Sequence, residues 1–156
     1  MKKFFIMALI AGSLYACSGD AGGTDSDKKD ADNTSAEANP SYDPHRGEGK
    51  FDHIDVGTGL NPAMADNGKK VYDVKCAACH KITDEKLVGP GWAGVTKRHG
   101  PEWIMNFITN PDAMIDKDPA MQAQLEICLV RMPNQNLSDD EARNVLEFMR
   151  KNDGVK

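Results

Sequence analysis

Apolar residues dominate from Phe4 to Leu14, give way from Ser18 to Asn39 to a stretch with no side chain larger than alanine among its aliphatics, and return at helical spacing after Pro62. The first run, behind Lys2 and Lys3, is too short to cross a bilayer and has the form of an export signal. The polar stretch cannot bury enough apolar surface to offset the entropy of ordering, so it predicts a flexible tether. Beyond Pro62 the spacing predicts a helix from Ala63 to Val74 that runs straight into VKCAACHKI. A second helix starts at Pro101, buries Trp103, Ile104, Phe107 and Ile108 along one side, and ends at Asn110-Pro111. Asp118-Pro119 supplies an N-cap and first position for a third, PAMQAQLEIC. The fourth, SDDEARNVLEFMRK, has a capping box in Ser138 and Glu141 and three acidic residues at the positive end of its dipole. No run alternates with period two for long enough to claim a sheet. The predicted class is all-α, about four helices with long loops.

These patterns divide the chain. Residues 1–16 read as the signal peptide, and LYAC, ending at Cys17, resembles the lipobox of bacterial lipoproteins, in which the cysteine sulfur is acylated and becomes the new N-terminus. Plain secretion after Ala16 is the other reading. Residues 17–40 form the acidic tether, with an end-to-end distance of about 25 Å and a taut limit of about 75 Å. Residues 41–61 carry Tyr42, Phe51, Ile54 and Val56 among glycines and aspartates and read as an extended arm on the domain surface, with His45 and His53 exposed. Residues 62–156 form a domain of about 90 residues, a size that commonly relies on a metal or cofactor as a staple. The formal charge of −5 becomes more negative once Lys2 and Lys3 leave with the signal. With no basic stripe, that balance excludes a nucleic-acid partner.

Four cysteines are present, at 17, 76, 79 and 128. With Cys17 lipidated and Cys76 and Cys79 acting together, Cys128 is unpaired and reads as a small buried side chain in LEICLV, which argues against a disulfide scaffold. A structural zinc site needs four ligands, and only Cys128 and scattered His45, His53 and His99 could complete one. A thioredoxin-like pair belongs in a βαβ setting, which this chain lacks. Cys76-x-x-Cys79-His80 is instead the pattern of covalent c-type haem attachment. Two thiols at that spacing reach the two vinyl groups on one porphyrin edge, and the histidine that follows is forced beneath the iron. Export agrees, because this attachment takes place outside the cytoplasm.

On these residues the chain resembles class I c-type cytochromes from Pro62 to about Gly154. The resemblance implies a cytochrome c fold around one covalently bound haem c. Gly68 and Tyr72, eight and four positions before Cys76, would let the first helix cross the last against Leu146, Phe148 and Met149. In LVGPGWAGVTKRHG, the carbonyl of Pro90 would accept a hydrogen bond from His80, Trp92 would cover a haem edge, and Arg98 would meet a haem propionate, with His99 exposed beside it. Met132, followed by Pro133 in a loop before the last helix, would be the sixth ligand, Met121 and Met114 being the alternatives. Met64, Met105 and Met149 read as helix or core residues.

A His80/Met132 iron has no open position, so the implied function is one-electron transfer, not catalysis, at a potential on the high side for a haem. Electrons would pass from a quinol-oxidising complex to a terminal reductase or oxidase, with a lipid anchor holding a monomer at the periplasmic or outer face of a bacterial membrane. The tethered acidic arm, NPAMADNGKKVYDVKCAACH and MPNQNLSDDEA more narrowly resemble small monohaem lipoproteins that accompany nitrous-oxide reductases. Lys69, Lys70, Lys75, Lys81, Lys86 and Lys97 are candidates for a basic docking rim, or else ordinary solvated residues. Two other readings stand: a five-coordinate haem that senses a gas or reduces peroxide, and a haem subunit docked permanently on a larger enzyme through the arm at 41–61.

Overall fold

A computed structural model describes residues 41–156. The segments read as an export signal at 1–16 and a tether at 17–40, with the lipidation expected at Cys17, lie outside the described residues. Helices α1 (Pro62–Lys75), α2 (Val95–Arg98), α3 (Pro101–Thr109), α4 (Pro111–Lys117), α5 (Pro119–Cys128) and α6 (Asp139–Asn152) follow in order, joined by long loops. Among the described residues there is no sheet, only one isolated bridge between His80 and Lys86.

The four expected helices form, and two short ones join them. Asn110-Pro111 does end α3, but a proline that cannot continue one helix is well suited to the first position of the next, so α4 starts there. The single turn α2 depends on a distant carboxylate. Asp153, just past α6, accepts from the Gly94 N–H (2.6 Å), the Thr96 N–H (2.8 Å) and the Thr96 hydroxyl (2.7 Å). No local periodicity encodes such a helix.

The frame is the crossing of α1 over α6. Asn61 caps α1 by accepting from the Met64 N–H (3.1 Å), and Pro62 follows at the first position. Ser138 and Glu141 close the capping box of α6 in both directions, at 3.1 and 2.9 Å. Gly68 is buried in the crossing, where a Cβ would overlap the Asn144 carbonyl oxygen and lie 2.9 Å from the Phe148 Cβ. The close approach therefore involves Asn144 as well as the expected Phe148. Behind it, Trp103, Ile104, Met105 and Ile108 of α3 pack with Val145, Leu146 and Met149 in one core.

The arm at 41–61 is bound to this frame at many points. The Asn106 side chain, fully buried, donates to the carbonyls of Arg46 and Phe51 (3.0 Å each) and accepts from the Phe51 N–H (2.9 Å), supplying the bonds a neighbouring strand would otherwise provide. The Ile54 N–H donates to Glu102 (2.8 Å), the Glu48 N–H to the Met114 sulfur (2.9 Å), and Arg150 to the Val56 carbonyl (2.7 Å). Glu147 is buried but paired with Arg143 and Arg150 and accepts from the Asn61 N–H. Burial pushes its carboxyl upward, yet these donors hold it below the usual carboxylate range.

Candidate functional site

The last turn of α1 leads directly into the Cys76–His80 segment. The Cys76 N–H donates to the Tyr72 carbonyl (2.9 Å), and the N–H groups of Cys79 and His80 both donate to the Cys76 carbonyl (3.0 Å). That tight coil leaves Cys76 buried and Cys79 half-buried with His80 on the wall of a cavity of about 200 Å³. Burial raises the Cys76 thiol to about 11, so it is not the low-pKa thiolate that a disulfide-exchange pair requires.

His80 is held on three sides. The Tyr72 hydroxyl donates to its backbone carbonyl (2.7 Å), Gly89 lies so close to the ring that a Cβ there would collide with it, and Trp92 packs 5.7 Å from it, centroid to centroid. Its Nδ1 is 2.8 Å from the Pro90 carbonyl. A carbonyl only accepts, so the proton is on Nδ1 and the Nε2 lone pair is available. Burial lowers the pKa of this imidazole, opposed by the Pro90 bond, and the ring is the neutral form that binds a metal.

Met132 is half-buried and lines the same cavity from the loop between α5 and α6. Arg131 beside it ties that loop to α4 through Asp116 (2.8 Å) and Asp112 (3.3 Å). Leu129, in the left-handed region at φ 59, turns the chain out of α5 just before. Of the alternatives, Met121 also lines the cavity, whereas Met114 is fully buried against the arm with its sulfur occupied by the Glu48 N–H. Trp92 is buried on the cavity wall against Tyr72, and Arg98 is at the mouth, exposed, with its guanidinium donating to the Ala93 carbonyl (2.7 Å).

Two expectations are corrected. His99 is not exposed but half-buried on the cavity wall, stacked on Trp103 at 3.7 Å, and burial lowers its pKa. Cys128 is not fully buried but half-buried on the same wall, its sulfur accepting from Gln124 (3.2 Å). Of the six lysines, three are ion-paired, Lys69 with Asp73, Lys75 with Glu141 and Lys81 with Glu85, while Lys86 donates to the Ile127 carbonyl and Lys70 to Asn67. Exposed aliphatic side chains occur in the segments that adjoin the lining residues, with Ile82, Leu87 and Val88 after the Cys76–His80 motif and Ile127, Leu129 and Val130 at the end of α5, and of these Val88 and Val130 line the cavity.

The wall contributed by α5 is the part that reading for motifs missed. Met121, Leu125 and Cys128 are spaced i, i+4, i+7, one face of a helix, and that spacing was the available signal.

The residues present fit a covalently held haem. Thioether-forming thiols precede an oriented imidazole, the walls are aromatic and aliphatic, and a thioether sulfur belongs to a residue of the same lining. Among the described residues no group of three or more His, Cys, Asp or Glu could hold a bare metal ion. When bound, such a haem supplies a reversible one-electron change at iron.

Residues 65–153 match the cytochrome c family. Cytochrome c from Rhodothermus marinus is similar in structure, with 34% sequence identity and a TM-score of 0.65, covering 67% of this chain and 90% of that one. Two engineered forms of that cytochrome are similar as well, each 33% identical over the same shares of both chains: one with a TM-score of 0.64, the other, bound to a carbene intermediate, with 0.61. No curated protein matches the chain. A family match spanning nearly the whole folded domain, together with that level of identity to a cytochrome whose length it almost covers, places this chain in the cytochrome c family as a class I, monohaem, electron-carrying domain.

Proposed function

We propose that the domain is a closed His80/Met132 carrier that moves single electrons outside the cytoplasm, with Cys76 and Cys79 holding the haem. The observation that carries this reading is that His80, oriented by Pro90, and Met132 line one apolar cavity. In that arrangement the chain's own groups do three things. Pro90 keeps the proton on Nδ1 so that the Nε2 lone pair is left for a metal, the apolar walls exclude water, and the thioether would favour the reduced state. Trp92 covers one edge and Arg98 serves a propionate at the mouth.

The optical spectrum of the isolated protein tests this. The expected result is a weak far-red methionine-to-iron band in the oxidised form and no carbon monoxide binding after reduction. Ready carbon monoxide binding with no such band would mean an open iron, and would turn attention to a gas or peroxide substrate.

The anchor and partners belong to the same proposal. Acylation of Cys17 would hold a monomer on its tether at the periplasmic or outer face of a membrane, between a quinol-oxidising complex and a terminal reductase or oxidase. The specific acceptor carried by the resemblance is nitrous-oxide reductase. None of the described helices is long and apolar enough to cross a membrane.

Docking is expected to be apolar. Three of the six lysines are held in ion pairs, and six aliphatic side chains in the segments that adjoin the cavity lining are exposed. Electron transfer to the partner should therefore change by less than about threefold as salt rises through the range in which the Debye length falls from ~30 to ~8 Å. A steep decline measured by stopped flow would return the contact to the lysines.

A further inference from the structure

Asp118 is buried, 5% exposed, yet no ion pair among the described residues includes it. All of its hydrogen bonds come from neutral donors. One oxygen accepts from the Trp103 indole N–H (2.9 Å) and the Tyr42 hydroxyl (2.5 Å), the other from the N–H groups of Ala120 (2.8 Å) and Met121 (3.3 Å) at the start of α5. Two of these four residues, Trp103 and Met121, line the haem cavity, and Trp103 stacks between His99 and Phe107, which line it too. A carboxylate held in no ion pair is thus one side chain behind the cavity wall, with His99 the nearby titratable group that feels its charge, and the residue that shares that charge by a hydrogen bond, Tyr42, comes from the arm.

We propose that Asp118 sets the reduction potential of the haem, and that Tyr42 of the arm tempers its effect. The inference rests on the reading of this domain as a haem carrier. The oxidised haem carries one more positive charge than the reduced haem. A negative charge nearby, in a medium less polarisable than water, therefore favours the oxidised form. The hydroxyl of Tyr42 draws part of that charge into a hydrogen bond, so its removal strengthens the field, whereas neutralising Asp118 abolishes it. The two changes should move the potential in opposite directions. A role confined to capping α5 predicts otherwise. Asparagine caps a helix as well as aspartate, so Asp118→Asn would leave the potential where it was.

Potentiometric titration of the full-length holoprotein at neutral pH, alongside its far-red spectrum, decides between these. Asp118→Asn should raise the reduced-to-oxidised ratio at a fixed ambient potential by about three- to tenfold, tenfold being 59 mV for one electron. Tyr42→Phe should lower it, and both variants should keep the wild-type far-red band. An unchanged ratio in Asp118→Asn, a shift of both variants in the same direction, or loss of the band in Asp118→Asn overturns the proposal, since each marks a structural role. Should Asp118→Asn fail to fold, the sign of the Tyr42→Phe shift decides alone. A wild type without the band removes the carrier reading, and this proposal with it.

Discussion

Replacing Met132 with alanine is expected to open the iron. The far-red band disappears, the reduced protein takes up carbon monoxide, and the potential falls by a sizeable part of the roughly 0.8 V range over which axial ligands set haem potentials. The direction follows from removing a ligand that favours the reduced state. Folding should suffer little, by at most about 2 kcal/mol, because the side chain is only half-buried in a loop that Arg131 fastens independently to α4. The outcome that sinks the assignment is an unchanged band with no carbon monoxide binding. Met121, the other candidate sulfur named from the sequence that shares the cavity, would then be the ligand, and a Met121→Ala variant would lose the band in its place.

Gly68→Ala carries the largest expected effect on stability, and its sign is the test. In an ordinary helix interior this exchange stabilises by about 1 kcal/mol, because alanine gives up less conformational freedom than glycine. Here the added carbon would overlap the Asn144 carbonyl oxygen and come within 2.5 Å of its carbon, backbone atoms that move only with α6 itself. Destabilisation of about 3 kcal/mol or more is therefore expected, a large share of the ~5–15 kcal/mol typical of a whole domain. Denaturant unfolding of the haem-loaded protein measures it. A gain in stability would mean that α1 and α6 have room to separate and that the crossing is not the frame of the fold.

Much of this architecture is written locally. The capping box of Ser138 and Glu141, the Asn61-Pro62 start of α1 and the Asp118-Pro119 start of α5 each involve groups within a few residues of one another, and each helix begins where those signals place it. The haem motif is equally local, since Cys76, Cys79 and His80 occupy little more than one turn. Helix α2 was not legible in the same way. Its N-terminal donors are satisfied by Asp153, a residue that sequence spacing cannot bring near. The same applies to the arm, where glycines and aspartates suggest loose attachment and the deciding contacts come from Asn106, Glu102, Glu147 and Arg150 on two different helices.

The lysines show the same limit. Lys75 and Glu141 are far apart in the chain, and only the crossing of α1 over α6 brings them together. Lys81 and Glu85 could have been paired by their spacing, but in a loop that spacing carries no geometry until the fold supplies it. By itself the sequence determined the class of domain, the helices with local caps, and the chemistry of the Cys76–His80 segment, because all of these depend on neighbours in the chain. Tertiary structure alone decided that His99 and Cys128 line the cavity, that Lys75 pairs with Glu141, and that Asp118 is buried behind Trp103. Those are properties of distances between segments, and they exist only once the crossing of α1 and α6 and the packing of α3 have brought the segments together.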